Sequence, residues 1–206
     1  MKKNKSSKNW LIHKHRYQYF KKSKIQGYRS RSAFKLIEIN KKFKFLNKSS
    51  FIIDLGSSPG GWSQVASKEA LNGKILSVDV KDMEKIINVK FIKCDFLNND
   101  IYQKISTFFN RKIDVVLSDM AVNTSGNKNL DSYRTGNLCL EAMNLSTKIL
   151  NINGVFVSKI FMGSVFNEIQ INAKKYFKKT VIFKPDSSKK VSKEIYIYCK
   201  GLRKIW

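Results

Sequence analysis

Apolar runs of strand length alternate with amphipathic stretches of helical length along most of this chain. Seven short runs rich in Val, Ile and Phe predict strands at 51–55, 75–78, 89–92, 113–117, 155–157, 181–183 and 195–199. Between them, apolar residues recur three or four positions apart, as in Leu138, Ala142 and Leu145. This alternation predicts an α/β fold in which helices cover both faces of a mainly parallel sheet.

The last two predicted strands are joined by a short connection, residues 184–194. A right-handed helical crossover between parallel strands needs about a dozen residues or more. We therefore expect these strands to pair antiparallel, as a terminal hairpin. The pattern thus predicts seven strands, of which the last is antiparallel.

A further helix is predicted before the first strand. Ser30 or Ser32 would cap its start. Its inward apolar stripe would consist of Ala33, Leu36 and Ile37. Lys35 would then project from the opposite side of the helix.

The length of 206 residues suits one domain of ordinary size, but the start of the chain differs in composition. No Asp or Glu occurs before Glu38, while the same stretch carries 12 Lys or Arg together with several aromatic rings. We therefore expect a basic N-terminal extension over residues 1–28 and one folded domain over residues 29–206.

The net charge of +25, from 40 Lys+Arg against 15 Asp+Glu, favours a polyanionic partner, and nucleic acid is the natural candidate. Part of the excess has a simpler explanation, because Lys outnumbers Arg 34 to 6, as expected from an AT-biased genome. The mixture of cations and stackable rings in the extension is typical of RNA contact. A disordered, solvated arm and a mitochondrial-type presequence are the alternatives.

Metal and membrane binding are not indicated. Cys94, Cys139 and Cys199 are scattered, which favours neither a disulfide framework nor a zinc site. His13 and His15 have no Cys or acidic partner nearby in the sequence. No uncharged apolar run approaches the roughly 18 residues of a membrane helix. We expect a cytoplasmic monomer that binds neither a metal ion nor a membrane.

A glycine-rich turn follows the first predicted strand, within the segment DLGSSPGGW, residues 54–62. Ligands bind at such carboxyl ends of open parallel sheets. The segment lacks both the G-x-G-x-x-G spacing and the Gly-Lys-Ser/Thr ending of a phosphate-binding loop, so a smaller ligand is expected. Gly60 and Gly61 would let the backbone approach that ligand and would offer amide groups to a carboxylate, such as that of methionine.

Acidic residues follow the next two strands. Asp79 closes the second strand, where a carboxylate can accept bonds from the ribose hydroxyls of an adenosine ligand. Asp95 follows the third strand and would accept a bond from the adenine amino group, with Phe96 beside the ring. Their order along the sheet predicts one adenosine site; for Asp79 the alternative is a solvated strand end.

Asp119 and Lys159 end the fourth and fifth strands and should lie side by side at the same rim. A neutral Lys159 could accept the proton of a hydroxyl group as that group attacks a sulfonium methyl. Desolvation and the positive charges of Lys35 and the sulfonium would favour the neutral amine, while Asp119 would orient it. Glu194 is expected to face Lys35 or the nucleotide ribose and to hold that lysine in place, with an ordinary surface ion pair between Lys35 and Glu194 as the alternative.

Six segments match one family pattern: RSRSAFKL (29–36), DLGSSPGGWSQ (54–64), SDMA (118–121), SK (158–159), KPDSS (184–188) and KEIYI (193–197). Together they resemble the FtsJ family of ribosomal RNA ribose methyltransferases, the bacterial heat-shock type in particular. The resemblance covers nearly the whole chain. It implies that residues 29–206 form a methyltransferase domain with a Rossmann-like sheet and an antiparallel last strand. That domain would use S-adenosylmethionine to methylate a ribose 2'-hydroxyl.

The resemblance also implies roles for particular residues. The implied catalytic residues are Lys35, Asp119, Lys159 and Glu194, with Lys159 as the proton acceptor. The implied cofactor contacts are Gly60, Trp62, Asp79, Asp95 and Asp119. The helical spacing of Trp62 with Val65 and Ala66, by contrast, predicts that Trp62 packs in the core around the cofactor loop.

Bacterial members modify a uridine in the A loop of large-subunit ribosomal RNA, usually within an assembled particle, so the implied partner is that RNA. Val122 stands where the bacterial pattern generally has proline, which is expected to loosen the loop beside Asp119. Two alternatives stay open. One is a transfer-RNA ribose methyltransferase of the same superfamily, and the other is a ribosome-assembly protein that binds RNA and cofactor without turnover.

Overall fold

The computed structural model describes residues 17–48, 50–122, 125–188 and 192–203. Its strands are β1 (Phe51–Leu55), β2 (Lys74–Asp79), β3 (Val89–Lys93), β4 (Ile113–Ser118), β5 (Leu150–Phe161), β6 (Phe177–Phe183) and β7 (Glu194–Leu202). They form one sheet in the order β3-β2-β1-β4-β5-β7-β6. All seven predicted strands are therefore confirmed.

Six helices accompany the sheet in the described part of the chain. They are α1, of which residues 17–25 are described, α2 (Ala33–Phe43), α3 (Gly61–Glu69), α4 (Ile101–Phe109), α5 (Lys128–Ile149) and α6 (Phe166–Tyr176). Buried side chains of α2 and α3 join one apolar cluster, and those of α4, α5 and α6 join another. Both clusters include sheet residues, so the predicted α/β architecture with both faces covered is confirmed.

The strand pairing explains where the functional side chains gather. β1 runs parallel to β2 and β4, and β4 runs parallel to β5. β7 lies antiparallel between β5 and β6, which confirms the predicted hairpin. In this register Tyr196 of β7 is directly opposite Lys159 of β5. The start of β7 is thereby brought to the same edge of the sheet as the end of β4.

Helix α2 departs from its prediction in three respects. Ser32 is the N-cap, as expected, but its side chain makes no capping bond. Ile37 packs against the apolar cluster and is partly buried, but the stripe also includes the fully buried Ile39, which the prediction omitted. Lys35 does not project away from the sheet: it lies about 100° from Leu36 around the helix, and from that flank its long side chain reaches β7.

The described end of the N-terminal extension packs on α2. The rings of Tyr19 and Tyr28 lie 5.4 and 5.8 Å from the ring of Phe34, and the Lys22 amine lies 4.9 Å from the centre of that ring. Ser23 is buried and donates to a backbone carbonyl within α1. These contacts join the last part of the extension to the helix that carries Lys35.

Candidate active site

Asp119 and Lys159 lie together at the carboxyl ends of β4 and β5. Ser118 and Ser158 are register partners in adjacent parallel strands, so the residues that follow them are neighbours. The Lys159 amine lies 3.2 Å from Asp119 Oδ1 and also donates to the Asp119 backbone carbonyl. Only 9% of the Lys159 side chain is exposed. The adjacency expected from the sequence is present in the structure.

Tyr196 completes the surroundings of Asp119. Its hydroxyl donates to Asp119 Oδ1 at 2.8 Å. Burial, together with the negative charges of Asp119 and Glu194, raises the pKa of Tyr196 well above its ordinary value, so the phenol remains a donor. Tyr196 has no place in the site predicted from the sequence. The available signal was its spacing of two from Glu194, which places both side chains on one face.

The Asp119 carboxyl group is held ionised by its partners. Burial alone would raise its pKa, but the charges of Lys159 and Lys35 and the hydrogen bonds from Tyr196 and Lys159 act in the other direction. The net result is a pKa below the ordinary value for aspartate. A fixed negative charge therefore lies beside the Lys159 amine.

Lys35 and Glu194 form a second, largely buried ion pair. Lys35 Nζ lies 2.7 Å from Glu194 Oε1, and their side chains are only 12% and 17% exposed. Ser188 Oγ donates to the same carboxylate oxygen at 2.9 Å, and Lys35 Nζ lies 5.8 Å from the centre of the Tyr196 ring. The pair is therefore not an ordinary exposed one, and it adjoins the Lys159–Asp119 pair through Tyr196.

A cleft of about 590 Å³ opens beside these residues, within the size range of small-molecule sites. It is lined by the loop after β1 and by residues at the ends of β2 to β5. Four of the predicted site residues line it: Asp79, Asp95, Asp119 and Lys159. The predicted adenosine site and the predicted chemical centre thus share one cleft.

The cleft contains groups suited to an adenosine ligand. The Asp79 carboxylate accepts from the Ser58 and Lys81 amides at 2.8 Å, and each of its oxygens can accept a second bond from a ribose hydroxyl. Asp95 Oδ1 accepts from a backbone amide at 3.0 Å. Phe96 and Leu138 supply apolar surface of the kind that packs against a flat ring.

Gly60, at the end of the glycine-rich loop, and Trp62, in the first turn of α3, are not among the residues that line this cleft. Gly60 has φ +111°, and a side chain there would meet Ile86 Cδ1 at 2.8 Å and Arg29 Nη1 at 3.0 Å. The Trp62 ring is 2% exposed and its Nε1 donates to the Ser32 carbonyl at 2.9 Å, so its predicted core packing is confirmed. Direct cofactor contact by these two residues stays a prediction.

Sequence reasoning assigned no role to Gly56 or Arg29, although both belong to the quoted segments. Gly56 lines the cleft with φ +71°, and a side chain there would collide with Met120. The Arg29 guanidinium donates to the carbonyls of Glu84 at 2.7 Å, Lys85 at 2.9 Å and Pro59 at 3.3 Å. Arg29 thereby ties the loop after β1 to the loop after β2.

Asp54 lies beneath the glycine-rich loop and is fully buried. Its Oδ2 accepts from Ser63 Oγ of α3 at 2.6 Å, and Ser63 Oγ lies 2.7 Å from Ser77 Oγ of β2. Burial raises the pKa of Asp54 to about 7; the Ser63 bond opposes this rise, while the charges of Asp119 and Asp79 add to it. The three polar side chains join β1, β2 and the start of α3.

Two further properties concern only the described residues. None of their helices is long and apolar enough to cross a membrane. They contain no group of three or more His, Cys, Asp or Glu that could hold a metal ion. His13 and His15 lie outside this part of the chain.

Comparison with known proteins agrees with this geometry. Residues 28–202 match the model of the FtsJ-like methyltransferase family. The chain belongs to that family. As an FtsJ-like methyltransferase it uses S-adenosylmethionine as its cofactor, and the residues that line the cleft suit the adenosine part of that molecule.

Several relatives are similar in sequence to this methyltransferase over almost its whole length. Ribosomal RNA large subunit methyltransferase E of Pelagibacter ubique (strain HTCC1062) is 52% identical over 98% of this chain and 100% of its own length. The protein of the same name from Rickettsia akari (strain Hartford) is 44% identical, over 93% of this chain and 87% of its own.

Solved structures give the same fold. A Plasmodium falciparum protein described as a ribosomal RNA methyltransferase has a TM-score of 0.76 and 36% identity, covering 85% of this chain and 98% of its own. A Streptococcus mutans protein, solved with S-adenosylhomocysteine, has a TM-score of 0.54 and 18% identity, covering 81% and 97%. At that identity the second likeness concerns the fold alone.

Proposed function

We propose that this FtsJ-like methyltransferase transfers a methyl group to a ribose 2'-hydroxyl of large-subunit ribosomal RNA, at a uridine of the A loop. The observation that carries the chemistry is the convergence of the Lys159 amine and the Asp119 carboxylate at the rim of an adenosine-sized cleft. The names of the bacterial relatives support the RNA, and the motif resemblance supports the nucleotide.

Lys159 acts as the proton acceptor in this proposal. S-adenosylmethionine supplies an activated methyl group on its sulfonium. The neutral Lys159 amine takes the 2'-hydroxyl proton as the ribose oxygen bonds to the methyl carbon and the carbon–sulfur bond breaks. The products are a 2'-O-methylribose, S-adenosylhomocysteine and a protonated lysine. Asp119 orients the amine through the 3.2 Å contact.

The remaining charged residues position this pair. Glu194, held by Ser188, fixes the Lys35 ammonium beside the Tyr196 ring. The Lys35 ammonium at that place offers a contact to the incoming nucleotide. Asp79 and Asp95 bind the adenosine part of the cofactor, and Gly60 and Trp62 support the loop that holds its methionine part.

We further propose that the enzyme acts as a cytoplasmic monomer and that residues 1–28 contact RNA. The acid-free composition of this stretch supports the RNA contact. Its described end adjoins α2, which carries Lys35, so RNA bound there would lie near the nucleotide that reacts.

The deciding experiment compares substrates. Large ribosomal subunits from cells lacking this protein and transcribed transfer RNA are each incubated with enzyme and methyl-labelled S-adenosylmethionine, and 2'-O-methyl positions are mapped. We expect label at one A-loop uridine of the large subunit. Label on transfer RNA alone would show that transfer RNA, not ribosomal RNA, is the substrate. Tight cofactor binding with no methyl transfer to either RNA would show that the protein is an assembly factor and not an enzyme.

A further inference from the structure

Two lysines face each other across the last hairpin, far from the cleft. Lys179 of β6 and Lys200 of β7 are register partners, and both are exposed. Like charges directly opposite each other in an antiparallel pair cost stability. Neither amine has an acidic partner among the contacts of the described residues. The fold thus retains an unfavourable pair that a single neutral substitution would remove.

Protection of the sheet edge does not account for this pair. Lysine on an edge strand discourages edge-to-edge aggregation, which explains Lys179, because β6 is an edge strand. Lys200, however, lies on β7, which is paired on both sides and has Val155 of β5 as its other register partner. A second reason is therefore needed for a cation at position 200.

A third exposed lysine is linked to this face of β7 through an aromatic cluster. Tyr198 precedes Lys200 on the same face of β7 and is stacked on Phe43 at 4.1 Å and tilted against Phe45 at 5.8 Å. Lys44, between those two rings in the sequence, is exposed and has a left-handed backbone with φ 49°. Lys179 and Lys200 are thus register partners on the face of β7 that carries Tyr198, and Lys44 lies between the two residues whose rings contact Tyr198. We call these three lysines the basic patch.

We propose that the basic patch is a second RNA-binding surface, which holds phosphates of the large-subunit RNA away from the reacting nucleotide. Lysines bind phosphate as point charges, and three of them without acidic neighbours suit a polyanion. Lys200 is six residues from Glu194 along β7, roughly 20 Å at the usual rise of a strand. At that distance the patch contacts a different part of the RNA from the cleft. The inference rests on the proposed RNA substrate but not on the catalytic roles.

The test pairs binding with stability. Lys179→Gln/Lys200→Gln is compared with Lys90→Gln, an exposed strand position at the opposite edge of the sheet. The probes are purified unmodified large subunits and free large-subunit RNA, titrated over a range of salt. We expect the double variant to bind about 5–20-fold more weakly and its log K against log salt slope to shrink by about 1.5. Its Tm should rise by about 1–3 °C.

Lys200→Glu sharpens the comparison. It replaces the repulsion by an ion pair with Lys179, so we expect a further gain in Tm and the weakest RNA binding of the series. The proposal would be overturned if every patch variant bound the RNA probes with the same affinity and the same salt slope as Lys90→Gln. Weaker binding without detectable methyl transfer by any variant, including wild type, would instead uphold the patch and contradict the proposed function.

Discussion

Two aspartates at the ends of neighbouring strands carry opposite pKa shifts, and their partners explain why. Asp119 is surrounded by the charges of Lys159 and Lys35 and by a phenol donor, which keep its pKa low despite burial. Asp54 accepts hydrogen bonds from the hydroxyl and the backbone amide of Ser63 but has two like charges nearby, so burial prevails. The ionised form is therefore favoured at Asp119, which orients the Lys159 amine, and disfavoured at Asp54, which lies beneath the cofactor loop.

The Asp54 shift predicts a pH dependence of stability. A carboxyl group with an ordinary unfolded pKa of 3.8 and a folded pKa of about 7 binds more protons in the native state between those values. The unfolding free energy should therefore fall as pH rises from about 4 to 7, by about 4 kcal/mol in total. Asp54→Asn should flatten this fall, measured by urea unfolding at several pH values.

A second variant tests the same carboxyl group. Ser63→Ala removes the bond that favours the ionised form, so the loss of stability should extend to higher pH. The low pKa of Asp119 affects the pH dependence of stability only below about pH 4. Its contribution to the free energy of unfolding is lost as the pH falls from the unfolded pKa through the lower folded pKa. Unchanged pH dependence in Asp54→Asn would show that another group is responsible.

Lys159 offers the most direct test of the chemistry. Lys159→Ala should lower the methyl-transfer rate by about 10²–10⁴-fold, the usual effect of losing a general base, with cofactor affinity within a few-fold of wild type. Lys159→Arg keeps a cation beside Asp119 but cannot accept a proton, so it should be similarly inactive. Single-turnover transfer and calorimetric cofactor titration separate the two effects. Wild-type transfer by either variant would remove Lys159 from the mechanism.

The same site shows how far sequence reasoning extends at this scale. Charged residues that end successive parallel strands are brought together by the topology itself, so Asp119 and Lys159 could be placed from their positions alone. The role of Tyr196 could not, because its bond to Asp119 depends on which strand lies beside β5. The burial of the Lys35–Glu194 pair depends on the same pairing.

At the scale of elements, the insertion of β7 between β5 and β6 is the feature that the pattern left undetermined. The short 184–194 connection predicts an antiparallel hairpin, but a hairpin could add to the sheet through either strand. In the structure β7 is the inner strand and contributes Tyr196, Tyr198 and Cys199 to buried positions. Its almost continuous apolar run is consistent with an inner strand, whereas β6 carries two exposed lysines directly after Phe177.

The two loops beside the cofactor cleft depend on one arginine. Arg29→Ala removes three bonds to carbonyls of these loops, so we expect about tenfold weaker binding of S-adenosylmethionine and a smaller loss of kcat at saturation. Arg111→Ala is a suitable control, because Arg111 precedes β4 at the other end of the sheet. Equal cofactor affinities in the two variants would contradict a positioning role for Arg29.

For the whole molecule, the charge distribution suggests how a small enzyme engages a large RNA. Acidic residues gather at the cofactor cleft, with Asp79, Asp95 and Asp119 in its lining. Cations occur both in the acid-free extension and in the basic patch at the far end of β7. Both regions adjoin α2, through Phe34 and Phe43 respectively, and together they would orient the RNA before its ribose enters the cleft.

Truncation tests the contribution of the extension while keeping its described residues. Removing residues 2–16 eliminates six Lys or Arg but keeps Tyr19 and Ser23, which pack at the α2 side of the domain. If all six cations contact phosphate, the log K against log salt slope for large-subunit RNA should shrink by about five, and by less in proportion to the contacts made. Replacing the six cations by Gln in the full-length chain separates charge from length. Cofactor affinity should not change in either variant, and an unaltered slope in both would show that this segment is a passive tail.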